Sequence, residues 1–199
     1  HHAGDTIDRL DGSFGDRLLT GMEYWLLPER AQWLSRVSLA QRQHATTIMF
    51  AAGGSDPGQA LPLLYEMTRA LRPLGPIPQR LYAMGEAAAP WMLHTLQAQD
   101  MVIRFSSTYL AEVALCVTMW GATVYEALAL GTPTLTIART ESEAEDAARL
   151  EAATDGAVQS LGTLAGLMRE TLCDRLVALW QDVKERKRMH YASAGLLDS

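Results

Sequence analysis

Two glycine-rich segments have residue types and spacing that can bind an anion. The first is Gly53-Gly54-Ser55-Asp56-Pro57-Gly58, which lies between a short apolar segment and a segment with helical spacing. Paired glycines permit a sharp turn and a close backbone approach, and Ser55 or Asp56 can cap the helix, whose free N–H groups attract an anion. The loop lacks the Lys-Ser/Thr pair of a Walker loop and the spacing of a dinucleotide fingerprint. By itself it is equally typical of a capped tight turn.

The second segment begins Gly121-Ala122-Thr123-Val124-Tyr125-Glu126. A glycine at a strand end opens a helix here, so the first N–H groups of that helix can bind phosphate with help from the Thr123 hydroxyl. Glu126 is predicted in the first turn, where a carboxylate can accept hydrogen bonds from both hydroxyls of a ribose. The carboxylate could instead only complement the helix dipole. These residues alone leave both interpretations open.

The elements that must position these segments alternate between strands and helices. The predicted strands are 46–51, 80–84, 101–105, 115–119, 133–137 and 156–159, and the predicted helices are 59–72, 87–97, 107–113, 122–130, 141–152, 163–172 and 174–190. This alternation predicts an α/β fold, a Rossmann-like parallel sheet of about six strands with helices on both faces. Ligands of such sheets bind at the carboxyl ends of the strands, where the strand order reverses. Both glycine segments are predicted at such ends.

Composition excludes several function classes. Apolar residues make up 48% of the chain and the net charge is −6, so the chain can bury a core but offers no basic surface for nucleic acid. No apolar run of about 18 residues predicts a membrane span. The two cysteines, Cys116 and Cys173, suit a reducing compartment, and we expect a cytoplasmic protein. No Cys/His spacing predicts a metal, and no motif predicts a cofactor or a catalytic triad.

The order of the two glycine segments resembles the C-terminal domain of GT-B proteins. Gly-Gly-Ser-Asp-Pro follows a first strand, and Gly-x-Thr-x-x-Glu-x-x-x-x-Gly-x-Pro comes later in the chain. The closer likeness is to the UDP-sugar hydrolases of pseudaminic acid biosynthesis, with the MurG-type N-acetylglucosaminyltransferases as wider relatives. Residues 18–29 also resemble the connector that precedes this domain in the hydrolases.

The resemblance implies that the domain holds a UDP-sugar. The glycine segments would cradle the diphosphate, a carboxylate would hold the ribose, and backbone at the end of the third strand would read the uracil edge. The residues expected to do so are Gly53, Gly54, Ser55, Gly121, Ala122 and Thr123 for the diphosphate, Glu126 for the ribose, and Ile103 and Phe105 for the base. The catalytic base of the hydrolases lies in their N-terminal domain, so no catalytic residue is expected here.

The resemblance also predicts the domain organisation. Residues 1–44 are expected to be a linker or connector from an N-terminal domain that the chain lacks, and residues 45–199 a Rossmann-like nucleotide-sugar-binding domain. The expected partners are UDP or a UDP-sugar and that N-terminal domain. The parent would be a UDP-sugar hydrolase or glycosyltransferase of surface-glycan biosynthesis, and this chain would be inactive alone.

Three departures from the family pattern motivate an alternative. Trp120 replaces the first glycine of the family's Gly-Gly-Ser/Thr run, and Ala122 replaces its serine. The loop after the fifth strand has Arg139 and an acidic segment, 141–146, in place of Asn-Gln. Carboxylates near a diphosphate would repel it, although acids also suit a helix start, and Arg139 could offset them or contact a phosphate.

The alternative is a degenerate GT-B-like domain that acts as a protein-interaction or oligomerisation module. Tyr24, Trp25 and Trp180 would then line an exposed surface at which the chain forms a homo-oligomer.

Overall fold

A computed structural model describes residues 45–53, 60–69, 79–85, 98 and 100–194. Six strands form one parallel sheet in the order β3-β2-β1-β4-β5-β6, which confirms the predicted Rossmann-like α/β fold. The strands are β1 Thr47–Ala51, β2 Gln79–Met84, β3 Asp100–Arg104, β4 Leu115–Met119, β5 Thr134–Ala138 and β6 Val158–Thr163. The helices are α1 Ala60–Thr68, α2 Ser107–Glu112, α3 Ala122–Ala129, α4 Glu141–Ala153, α5 Arg169–Gln181 and α6 Val183–Ala194. The predicted connector 1–44 and the predicted helix 87–97 lie outside the described residues.

Side-chain alternation along the strands divides the core between the two faces of the sheet. Ile48 and Phe50 of β1 point to one face, which α1 and α5 cover. Met49 and Ala51 point to the other face, which α2 and α3 cover. A parallel strand that is buried on both faces has to be apolar along its whole length, which explains the short apolar runs in the sequence.

The strand order reverses between β1 and β4. The chain runs from β1 outward through β2 to β3, then returns to the other side of β1 as β4 and continues through β5 to β6. Ala51 pairs with Thr118, so β1 and β4 end at nearly the same level. Gly53 and Gly121 follow these two strand ends, at the topological switch point where such sheets bind ligands.

The C-terminal third of the chain differs from the sequence prediction. The sixth strand was expected at 156–159, but β6 runs to Thr163, which pairs with Ala138 after a shift in register. Gly162 has a φ of 77°, and a glycine with positive φ inside a strand is typical of a bulge. The predicted helix 163–172 therefore starts too early: Thr163 still pairs with β5, residues 164–166 form a turn, and α5 begins at Arg169.

The predicted boundary between the last two helices is also wrong. They were expected to divide at residue 173, but α5 continues to Gln181, and Cys173 lies within it. The division falls at Asp182, whose Oδ1 accepts a hydrogen bond of 2.9 Å from the Glu185 N–H. Asp182 thus caps the start of α6, and the Asp-x-x-Glu pattern is a sequence signal for that cap.

The last helix, α6, packs against the end of α3. His190 Nδ1 lies 2.8 Å from the Gly131 carbonyl oxygen. Gly131 has a φ of 64°, and an added Cβ would lie 2.5 Å from His190 Nδ1. Gly131 therefore ends α3 in a left-handed conformation and leaves room for the imidazole. Within the described residues, no helix is long and apolar enough to cross a membrane.

A buried ion pair joins the amino ends of β2 and β3, on the side of the sheet away from the switch point. Arg80 Nε donates to Asp100 Oδ1 at 2.6 Å, and Arg80 Nη1 donates to the Thr68 carbonyl at 2.8 Å. Both charged side chains are almost fully buried. The pair therefore ties the end of α1 to the starts of both strands.

We expect Asp100→Ala to lower the free energy of unfolding by about 3–5 kcal/mol, because it leaves the Arg80 charge buried without its partner. Urea denaturation measures this loss. The matched control is Arg149→Met, which removes an exposed cation paired with Glu145 and Asp146 and should cost less than about 1 kcal/mol. Equal losses in the two variants would contradict the role given to the buried pair.

Candidate functional site

The N-terminus of α3 is open at the switch point. Gly121 is its N-cap residue, with φ 151° and ψ −162°, and no side chain of the described residues caps the helix. By contrast, the Ser106 hydroxyl accepts from the Thr108 N–H at the start of α2, and the Thr140 hydroxyl accepts from the Glu143 N–H at the start of α4. Of the three helices that follow β3, β4 and β5, α3 is therefore the one whose first-turn N–H groups receive no hydrogen bond from a described side chain, and those of Ala122 and Thr123 can face an anion.

Gly121 has a backbone conformation that is essentially restricted to glycine. An added Cβ would meet no heavy atom of the described residues within 4 Å, so the backbone conformation, and not a lack of space among these residues, disfavours a side chain. Gly53, at the end of β1, has a φ of 86°, and its added Cβ would also meet no described atom within 4 Å. Both glycines allow the chain to turn away from the sheet directly after a central strand.

Glu126 lies in the second turn of α3, not in the first as expected. The helix begins at Ala122, where it was predicted to begin, and Glu126 is its fifth residue. Its side chain is buried between α3 and α2, where its Oε2 accepts a hydrogen bond of 2.8 Å from Ser107 Oγ. Its Oε1 accepts no hydrogen bond from a residue that the structure describes. This carboxylate is therefore held by one oxygen and retains acceptor capacity on the other.

The end of β3 lies near Glu126 because α2 brings it there. Phe105 is two residues before Ser107, whose hydroxyl contacts Glu126. Phe105 and Ile103 are both half-buried and pack against the α2–α3 side of the core. The Phe105 N–H donates to the Met84 carbonyl at 3.1 Å, so this N–H continues the pairing of β3 with β2 and is not available to a ligand.

The remaining predicted site residues divide into described and undescribed positions. Thr123 is buried in the first turn of α3, and Ala122 is exposed at its start. Gly54 and Ser55, expected to cradle the diphosphate with Gly53, lie outside the described residues.

Trp120 packs beside the site. Its ring makes an edge contact with Tyr125, with centroids 5.9 Å apart and an interplanar angle of 60°. Both rings lie against the apolar residues between α3 and β6. Burial, with a smaller contribution from Asp146, raises the pKa of the Tyr125 phenol. The indole is therefore engaged with Tyr125 on the α3 side.

An ion pair lies at the carboxyl end of the neighbouring strand, β5. Arg139 follows β5, and its Nη2 donates to Glu143 Oε1 at 2.7 Å. The Arg139 backbone N–H donates to Glu143 Oε2 at 2.8 Å. Burial raises the pKa of Glu143, but the hydrogen bonds from Arg139 outweigh this effect and hold the pKa below its ordinary value. The rest of the acidic segment is also partly neutralised, since Glu145 and Asp146 both pair with Arg149.

Ser107 and Glu143 were not among the residues expected to form the site, although Glu143 lies in the acidic segment 141–146. Ser107 carried no recognisable signal, because its partner Glu126 lies 19 residues away in another helix. Glu143 did carry one, since Thr140-x-x-Glu143 matches a capping box. In the structure the Glu143 carboxylate reaches the Arg139 N–H, one residue before the cap. Groups of His, Cys, Asp and Glu that could hold a metal ion do not occur among the described residues.

Comparisons with known proteins support the fold. No protein-family model matches the chain, and no curated protein matches it. Among solved structures, spinosyn forosaminyltransferase SpnP aligns with a TM-score of 0.60 and 17% identity over 87% of this chain and 43% of that one. Glycosyltransferase VinC, solved with DTDP, gives 0.57 and 17% over 87% and 40%. Os79 from O. sativa, solved with UDP and deoxynivalenol-3-glucoside, gives 0.57 and 15% over 98% and 47%.

The chain therefore has the Rossmann-like fold of GT-B C-terminal domains. It spans less than half the length of each of these three structures. At identities of 15–17%, the likeness establishes the architecture.

We expect Gly121→Ala to lower the free energy of unfolding by roughly 1–3 kcal/mol, because alanine is strained in the conformation that opens α3. Gly166→Ala is the control, since Gly166 is not among the glycines with positive φ and its added Cβ would meet only the Thr163 hydroxyl closely. Urea denaturation of both variants tests this expectation, and a Gly121→Ala protein as stable as the control would contradict it.

Proposed function

We propose that this domain binds a UDP-sugar as the C-terminal half of a GT-B-type nucleotide-sugar hydrolase or glycosyltransferase. The observation that carries the proposal is that α3 combines two features. No described side chain caps its N-terminus, and in its second turn Glu126 Oε2 accepts a hydrogen bond of 2.8 Å from Ser107 Oγ. One feature suits phosphate and the other suits a ribose.

The spacing of these groups fits the parts of a nucleotide. Along α3, Ala122 and Glu126 are separated by about 6 Å of helical rise, so an anion at the helix start and a sugar at Glu126 would be neighbours. The β3 end follows next through Phe105, two residues from Ser107. Diphosphate, ribose and base would thus bind in order from Gly121, past Glu126, to Ile103 and Phe105.

Ribose recognition by Glu126 has a direct physical basis. A carboxylate accepts hydrogen bonds and donates none, so it pairs with hydroxyl donors. Ser107 uses part of the capacity of Oε2 and fixes the side chain in place. A fixed acceptor binds without paying to order its own rotamers, which favours affinity.

We also propose that residues 1–44 are a connector and that catalysis requires an N-terminal domain outside this chain. The solved structures with this fold are more than twice as long as the chain, which supports a two-domain parent. The sequence likeness to the UDP-sugar hydrolases of pseudaminic acid biosynthesis favours a hydrolase of surface-glycan biosynthesis. We propose that this hydrolase acts in the cytoplasm.

A second candidate is a degenerate GT-B-like domain that mediates oligomerisation or protein binding. Trp120 and the Arg139–Glu143 pair favour it, because an indole and a neutralised cation border the proposed phosphate site. Trp180 is less suited to such a surface than expected, since it is half-buried against the core and Arg186 lies over its ring. Tyr24 and Trp25 lie outside the described residues.

We expect the 199-residue chain to bind UDP more tightly than ADP, and Glu126→Gln to weaken UDP binding about 10–100-fold, because hydrogen bonds to a charged group contribute about 1.5–3 kcal/mol. Ser107→Ala should weaken it less, since it only frees the carboxylate. Titration calorimetry measures each affinity.

Two controls make the result specific. Glu112→Gln removes an exposed carboxylate from α2, the helix that contains Ser107, and should leave UDP affinity unchanged. The 2′-deoxy analogue of UDP should bind the native chain more weakly and respond less to Glu126→Gln. Absence of UDP binding, together with self-association in light scattering, would favour the oligomerisation module instead.

A further inference from the structure

The Arg139–Glu143 pair lies at the carboxyl end of β5, next to the proposed phosphate site. Arg139 follows β5 directly, and Glu143 lies in the first turn of α4. Arg139 Nε and Nη2 both donate to the carboxylate, at distances from 2.7 to 3.2 Å. This contact ties the guanidinium to α4.

The same guanidinium also reaches the start of α3. Arg139 Nη2 donates to the Trp120 carbonyl at 3.3 Å, and Trp120 immediately precedes Gly121. The arginine side chain is 47% exposed. Its Nη1 makes no hydrogen bond to the part of the chain that the structure describes. A cation with an open donor therefore lies beside the uncapped helix N-terminus.

We propose that Arg139 and Glu143 form a charge latch, in which Arg139 binds the diphosphate and Glu143 competes with that diphosphate for the guanidinium. The inference rests on the proposed function, because it assigns residues to the phosphate end of that site. It goes further by making binding depend on an exchange of partners at Arg139.

The physical case for the exchange is the difference between the two pairings. An exposed ion pair such as Arg139–Glu143 contributes little to stability, so releasing it costs little. A planar guanidinium forms strong bidentate hydrogen bonds with phosphate oxygens. A helix N-terminus supplies only about half a positive charge, whereas a diphosphate carries more than one negative charge. Arg139 can supply the missing cation.

Glu143 does not become protonated at neutral pH, so its carboxylate remains a competitor for the guanidinium. Hydrogen bonds from Arg139 hold the pKa of its carboxyl below the ordinary value despite burial. The carboxylate therefore stays charged and continues to compete with the phosphate for the guanidinium. Ligands without a diphosphate would not gain from the exchange.

We expect Arg139→Ala to weaken UDP binding about 10-fold and Glu143→Gln to strengthen it about 3–10-fold, because the first removes a phosphate ligand and the second its competitor. In the Arg139→Ala background, Glu143→Gln should give a smaller gain. Uridine, which has no phosphate, should respond less than about 2-fold to either change. Calorimetry of the full chain with UDP, uridine and pyrophosphate measures these effects.

The matched control is Glu145→Gln, which removes the same charge from the same helix where the carboxylate pairs with Arg149. It should change UDP affinity less than about 2-fold, because exposed charges at longer range are screened by salt. Thermal unfolding of every variant separates a loss of binding from a loss of fold.

The outcomes separate the latch from the proposed function. Glu143→Gln weakening UDP as Arg139→Ala does, or neither variant changing it, would overturn the latch and leave a Glu126-dependent UDP site standing. If the native chain binds pyrophosphate but not UDP, and Arg139→Ala abolishes that binding, the result would support the latch and contradict the specificity for uridine. Binding of neither ligand by the native chain would overturn both.

Discussion

The pairing of β1 with β4 is the constraint on which the rest of the structure depends. These strands are neighbours in the sheet although β2 and β3 come between them in the chain. Because the chain leaves them in opposite directions, the connections after Ala51 and Met119 diverge and leave a crevice at the carboxyl edge. Gly53 and Gly121 lie at that edge and adopt backbone conformations that other residues rarely take. The candidate site is thus a consequence of topology before any polar side chain is considered.

Within that crevice, the site is organised by contacts between helices. Ser107 begins α2 and Glu126 lies in the second turn of α3, and their hydrogen bond joins the end of β3 to the helix that follows β4. Leu110 and Leu130 belong to the same buried apolar cluster, which holds the two helices together on this face of the sheet. An apolar contact surface therefore fixes the position of a polar group.

Charge around the site is balanced locally. The acidic start of α4 would repel a diphosphate if its carboxylates were unpaired, but Arg139 and Arg149 neutralise three of them in ion pairs: Glu143, Glu145 and Asp146. The Arg139 pair contacts the strand end that leads into α3, through the Trp120 carbonyl. Trp120 and Arg139, which differ from the GT-B pattern, thus contact each other. The Trp120 ring packs on Tyr125, and its carbonyl accepts a hydrogen bond from Arg139.

The sequence by itself determined the fold class and most of the sheet, because short apolar runs separated by glycine-containing turns have few alternatives to buried parallel strands. It also contained local signals for Glu143 and Asp182, since capping residues act within one turn. Tertiary structure decided what depends on distant partners. Pairing with β5 extended β6 past Gly162, and packing of α2 on α3 brought Ser107 to Glu126. Such contacts join residues far apart in the chain, so no local pattern of residue types specifies them.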